Sequence, residues 1–241
     1  LGRVSAFLVE VYLRIGEPDR VVASGQRALA VADACGDVAS RISATYYLGV
    51  ANVFRGDYPR AMDLLEQTVA SLDGELVRER FGHPFPPSVG ARTYLAWCLA
   101  ERGEFAAGMA RSAEAVRIAE TVDQPLSVVV ALFGVGSLHL IKGDLQTAMP
   151  VLERGLELCR VWDIQFWCPL LASPLGYAYA LSGQVAEAVV LQEQGMEHAA
   201  AMRVRDSSPL YAARLSESYR LTCRLADSST LSGRALALRV A

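Results

Sequence analysis

The sequence predicts an all-α solenoid of about six antiparallel helix pairs, with a 40-residue period, stacked as a single domain over residues 1–241. Three observations predict it. A glycine followed by an acidic or polar residue, with a usually small residue four positions further on, recurs along the chain. The copies are GEPDRV at Gly16, GDYPRA at Gly56, GEFAAG at Gly103, GDLQTA at Gly143 and GQVAEA at Gly183. These glycines are 40, 47, 40 and 40 residues apart, and a further step of 40 reaches Cys223 in CRLADS. Eight residues before each of these positions stands an apolar residue: Leu8, Leu48, Leu95, Val135, Leu175 and Leu215. The segments on either side of each glycine carry apolar residues at helical spacing, as in 38–55 and 58–72.

Each unit therefore reads as a first helix (A), a glycine turn and a second helix (B). Gly56 ends helix A of unit two because glycine tolerates the left-handed conformation of a C-terminal cap. Asp57, Glu104 and Asp144 then fall where a carboxylate caps the free N–H groups of helix B and favours its dipole. Pro18 and Pro59 fall in a first turn, where the missing N–H had no partner. Gly49, Ala96, Gly136 and Gly176 follow the recurring apolar position, and Ala61, Ala148 and Ala188 recur in helix B. Small side chains there let two helices approach closely, and a larger one would overpack the contact by about 1–3 kcal/mol.

Unit three is preceded by an irregular stretch, RERFGHPFPPSVGAR (78–92), and here the spacing is seven residues longer. Pro84, Pro86 and Pro87 impose an extended course, with 87–88 placed to begin the next helix. Phe81 and Phe85 are too apolar to leave in water, so they are candidate loop contacts expected to fold back onto units two and three, the alternative being a partner-binding flap. Under the packing reading Phe85→Ala costs about 1–3 kcal/mol. In unit four, Pro150 lies well inside helix B, as Pro174 lies inside helix A of unit five, and each predicts a local irregularity. Between them, VWDIQFWCP (161–169) is expected to seal the loop with Trp162, Phe166 and Trp167. The sixth unit, 205–241, is degenerate: Cys223 replaces the turn glycine and Ser228 the small alanine.

YYLGVANVFRGDYPRAMDLLEQTV resembles a tetratricopeptide repeat. That family's Leu-Gly in helix A, Gly at the turn and Ala in helix B fall on Leu48–Gly49, Gly56 and Ala61. They fall again on Val135–Gly136, Gly143 and Ala148, and on Leu175–Gly176, Gly183 and Ala188. The resemblance covers the whole chain and implies a right-handed superhelix; the period exceeds the family's usual 34. GLELCRVWDIQFW, LGYAYALSGQVAEA and WCLAERGEFAAGMAR more narrowly resemble the C-terminal arrays of bacterial multidomain regulators. Those carry an adenylate/guanylate cyclase domain and an AAA-type ATPase domain. In such arrays the A helices line a concave groove, which implies partner contacts at Tyr46, Val50, Phe54, Thr93, Trp97, Phe133, Ser137, Ser173 and Tyr177, the alternative for each being inter-repeat core. The Lys and Asn residues of the family's carboxylate-clamp subset are missing from these places. The resemblance implies a non-catalytic scaffold for a protein or peptide segment, which includes another domain of the same polypeptide. The alternative is a ligand- or peptide-sensing domain controlling an attached cyclase, ATPase or transcription-factor effector.

Composition narrows the classes further. A net charge of −3, from 23 basic and 26 acidic residues without like-charge blocks, gives no footprint for nucleic acid. Cys35, Cys98, Cys159, Cys168 and Cys223 form no CxxC pair, which suits reduced thiols in the cytoplasm. The uncharged runs 124–141 and 164–186 contain proline, glutamine and serine and coincide with repeat units, so they are read as buried helix and not as membrane spans. His83, His139 and His198 fall in different units without metal-ligand spacing, and His139 is read as a half-buried core histidine. FGVGSLH (133–139) lies inside a helix, so its glycines serve packing, and no GxSxG or GxxxxGK[ST] stretch occurs. No catalytic residue, metal site or cofactor is expected. The chain opens LGRVSAFLVEVYL without Met, and is expected to be part of a longer protein.

Overall fold

In the computed structural model, which describes residues 2–204, 208–222 and 227–233, helices follow one another in the expected alternation. The A helices are α1 (Gly2–Arg14), α3 (Val38–Arg55), α5 (Pro87–Glu101), α7 (Pro125–Lys142), α9 (Cys168–Leu181) and α11 (Ser208–Leu221). The B helices are α2 (Pro18–Cys35), α4 (Tyr58–Ala70), α6 (Phe105–Thr121), α8 (Leu145–Val161), α10 (Val185–Ala201) and α12 (227–233). Each A helix from α3 to α9 packs on its own B helix, on the B helix before it and on the A helices to either side. One apolar core runs from Val9 through Leu65, Leu95 and Val130 to Leu175. Among the described residues there is no β-strand.

All five turn glycines have positive φ, from 74° at Gly16 to 92° at Gly183. Each turn closes by the same two bonds. The Gly143 N–H donates to Leu140 O at 3.0 Å and the Asp144 N–H to His139 O at 2.9 Å, and Gly56, Gly103 and Gly183 repeat this geometry. Asp57 and Asp144 cap α4 and α8 through the Arg60 and Thr147 N–H groups. Glu104 does not cap α6. Its side chain, one methylene longer, turns back to accept from Arg102 Nε at 2.7 Å.

The returns from α6, α8 and α10 to the next A helix use a second left-handed position, which no sequence pattern marked. Asp123, Asp163 and Arg203 have φ of 50°, 52° and 56° and are spaced by 40 residues. A side chain in this region costs about 1–2 kcal/mol, part of which glycine loses again through its freer unfolded chain. Arg203→Gly is therefore expected to raise stability by about 0.5–1 kcal/mol, read as a shifted urea midpoint at constant slope.

The close approaches occur where small residues were expected. A Cβ on Gly136 would stand 2.4 Å from Leu152 Cγ, and one on Gly49 2.8 Å from Leu65 Cγ. The same step in unit five meets Gln192, at the place held by Leu65 and Leu152 in units two and four. Gln192 is 2% exposed, and neither amide atom has a hydrogen-bond partner among the described residues. A buried polar group in that state costs about 1–3 kcal/mol, so Gln192→Leu is expected to stabilise the chain by about 1–2 kcal/mol. Thermal unfolding of this variant beside the parent checks the sign.

α8 and α9 continue as α-helix on both sides of Pro150 and Pro174, and each proline removes one N–H from the ladder. α7 is long and apolar enough to cross a membrane, with a mean hydropathy of 1.7. In the fold it packs against α5, α6, α8 and α9, with Val129, Val130, Phe133 and Leu138 buried. The run 164–186 is broken by a 3-10 turn at Gln165–Trp167 and by the turn at Gly183. Cys223 lies outside the described residues, but the sixth unit is packed on both sides of it. Leu231 joins Val189, Leu215 and Tyr219 in an apolar cluster, and the Ser228 and Ser216 hydroxyls meet at 3.0 Å.

Candidate functional site

Of the nine expected groove residues, seven are packed inside: Tyr46, Val50, Thr93, Trp97, Phe133, Ser137 and Ser173. Phe54 and Tyr177 are half-buried and keep an accessible edge. The reason lies in how the A helices meet. Trp97 and Phe133 stand in adjacent A helices with ring centroids 5.6 Å apart, and Phe54 reaches Trp97 at 5.9 Å. Phe133 then touches Trp167 at 5.7 Å, Trp167 touches Phe85 at 6.0 Å, and Phe85 touches Tyr46 at 6.5 Å. Most of these contacts are edge-to-face, the arrangement that ring quadrupoles favour. A continuous aromatic chain thus joins unit two to the start of unit five.

Phe85 brings the long loop into this chain. It is 6% exposed, and Gly90 one turn into α5 leaves room for its ring. Gln124 Nε2 fastens the loop by donating to Pro84 O at 2.6 Å, and Arg80 Nε donates to His83 O at 3.0 Å. Phe81, with φ of 50°, stays half-buried and enters no ring contact. The 161–169 stretch divides differently from the expectation. Trp167 is buried, and Phe166 lies under the Arg14 guanidinium at 3.6 Å from its ring centre. Trp162 is 59% exposed and seals nothing. It is the C-cap residue of α8, where the chain leaves the helix for the left-handed turn at Asp163.

The residue that sequence reasoning passed over is His83. Only 3% exposed, it stacks on Tyr47 at 4.9 Å, and its Nε2 lies 2.7 Å from Ser43 Oγ. Among the described residues Nδ1 has no hydrogen-bond partner, and burial pushes the imidazole down to about 4 against the opposing charge of Glu10. The Tyr47 hydroxyl donates to Glu10, which also binds Arg14. No spacing rule signals this histidine, because its partners come from α1 and α3. His139 is half-buried as expected, with Nδ1 3.0 Å from Asp144 Oδ2.

Further open surface lies elsewhere. A cleft of about 790 Å³ opens between α8 and α10, lined by Glu153, Arg154, Glu157, Arg160, Tyr179 and Val190 among others. The Tyr179 hydroxyl donates to Glu153 at 2.8 Å, and desolvation together with that carboxylate raises the phenol to about 12. Beside it, Cys168 lines a cavity of about 230 Å³, and a hydrogen bond with Cys159 lowers its thiol below the ordinary value. In the half of the groove nearest the C-terminus, Arg214 Nη1 donates to Ser173 Oγ at 3.3 Å. Among the described residues no group of three or more His, Cys, Asp or Glu side chains is placed to hold a metal ion.

No protein-family model matches the sequence, and no curated protein matches it significantly. Solved structures do resemble it. A signal-transduction ATPase with numerous domains (STAND) and a tetratricopeptide repeat sensor, from Pyrococcus horikoshii, aligns over 100% of this chain at 15% identity and TM-score 0.66. This chain spans 35% of that protein's length. A Rap protein complexed with Competence and Sporulation Factor aligns over 98% of this chain and 73% of its own, at 11% identity and TM-score 0.72. A kinesin light chain with TPR-like repeats, from Podosopora anserina, aligns over 83% of this chain and 96% of its own, at 20% identity and TM-score 0.50. At these identities the likeness is one of architecture, and the fold is that of the tetratricopeptide-type helical-repeat proteins.

Proposed function

We propose that the chain is a non-catalytic scaffold that holds a protein or peptide segment, which includes another domain of its own polypeptide, within a cytoplasmic bacterial signalling or regulatory protein. The observation that carries this reading is the architecture: helix pairs stacked around one core, with open clefts on their outer face. Phe54 and Tyr177 are the groove residues left accessible to a partner, and they mark where contact is made. The sensing alternative, in which the bound segment controls an attached effector, draws support from two of the similar structures. One has its repeats described as a sensor, and the other is complexed with Competence and Sporulation Factor.

Photo-crosslinking in cells tests the scaffold reading. A benzophenone side chain at Tyr177 or Phe54 is expected to trap a defined protein product, and one at exposed Arg27 of α2 is not. Equal products at all three positions, or none at any, overturns it.

A further inference from the structure

The loop before α5 builds a second feature, separate from the aromatic chain. Its 3-10 turn (Gly74–Arg78) leans over α5 and α6 and encloses a polar cleft of about 530 Å³. Arg78, Arg92 and Arg117 line that cleft with a single carboxylate, Glu75. Such convergence is unusual for a chain whose formal charge is −3.

The three arginines are not alike. Arg92 is buried and committed: its Nε donates to Glu114 at 2.8 Å and its Nη1 to Ser88 O at 3.1 Å. Glu114 is shared with Arg111, which itself binds Glu66 at 2.9 Å. Despite desolvation, the bond and charge of Arg92 and the charge of Arg111 hold the Glu114 carboxyl below its ordinary range. These two arginines and two glutamates balance one another. Arg78 and Arg117 are exposed and have no ion-pair partner among the described residues. Elsewhere on the surface Arg20 and Arg220 each pair with a glutamate three residues before them. Against Glu75, the two free guanidiniums leave the cleft one positive charge in excess.

We infer that this cleft is an oxyanion site: Arg78 and Arg117 clamp the acidic group of a partner segment over the fixed Arg92. The ligand class is a carboxylate or a phosphate monoester on a peptide, since a guanidinium fork matches either in two parallel hydrogen bonds. Arg92, held by Glu114 and Ser88, forms a charged floor that does not move when the anion arrives. The site exists only because of the seven-residue insertion, so the regular units do not repeat it. This inference rests on the reading of the chain as a scaffold for protein segments.

The test follows the arginine Nε–Hε resonances of the intact, isotope-labelled chain during titration. The probes are an oligoglutamate peptide, a phosphoserine peptide, an oligoglutamine peptide and inorganic phosphate, each at matched ionic strength. The expected result is saturable movement of the Arg78 and Arg117 signals with the first or second probe and none with oligoglutamine. Arg78→Ala and Arg117→Ala, both at exposed positions, are each expected to weaken that binding about ten-fold or more without lowering the melting temperature. Arg78→Lys is expected to restore part of it. The relative response to glutamate and phosphoserine identifies which source of oxyanion the cleft takes.

Equal response to oligoglutamine, or undiminished binding by the double alanine variant, overturns the site. Response to inorganic phosphate alone overturns the role of a peptide. These outcomes are separable from the scaffold reading, because the crosslinks at Tyr177 and Phe54 do not involve this cleft.

Discussion

Phe85→Ala is expected to destabilise the chain by about 3–5 kcal/mol, more than the ring's transfer from water accounts for. The excess comes from the void. The ring is covered by Tyr46, Trp167 and the backbone at Gly90, which belong to three helical units or their junctions and cannot close together. Phe81→Ala, at a half-buried site without ring contacts, is expected to cost under about 1 kcal/mol. Urea unfolding followed by tryptophan fluorescence measures both, since Trp167 reports directly on the loss of its neighbour. Unchanged midpoints for both variants would make the loop a loose flap.

The second large effect is acid sensitivity. His83 is held neutral in the fold, with its pKa down at about 4, while in the unfolded chain it titrates near 6.5. Between these values the unfolded state binds the extra proton, so stability rises with pH. The contribution is fully present above the unfolded value, falls away from about pH 6.5 to about pH 4, and amounts to roughly 3 kcal/mol. His83→Asn keeps a hydrogen-bonding group near Ser43 but has no proton to gain. Subtracting its stability at pH 7, 5 and 4 from that of the parent removes the shared carboxylate titrations. The difference is expected to shrink as pH falls. A pH-independent difference would show that His83 gains its proton without leaving the fold.

Both effects arise in the loop that sequence reading singled out, yet only half of its role was legible. The extra spacing, the prolines and the apolar character of Phe85 were local facts, and they pointed to an inserted loop expected to fold back. That Phe85 would meet Trp167, some 80 residues away, depended on how tightly the units curl, which no spacing rule contains. The turn glycines were readable because only glycine takes their conformation cheaply. The matching turns at Asp123, Asp163 and Arg203 were not, because other residues occupy them at a cost. In the groove, the register carried over from the tetratricopeptide resemblance named the inward-facing candidates. It could not tell an inward face that stays open, as at Phe54 and Tyr177, from one filled by its neighbours, as at Trp97 and Phe133. The arginine cleft was invisible in the same way, since Arg78 and Arg117 come together only when the 3-10 turn forms.

A stack of helix pairs in which each unit touches only its neighbours behaves as a spring, stretching and bending at small cost through many shallow distortions. The contacts of Phe85 with Trp167, and of Arg14 with Phe166, cross from the early units to the start of the fifth. They act as clasps between coils that are not adjacent. The first four units and the start of the fifth therefore have one pitch and resist extension together. Among the described residues, the small cluster around Leu215 joins only the neighbouring helices α10 to α12, so elastic compliance is greater there. Pulling on the two ends should lengthen that portion first, and the clasped portion should then yield in one step.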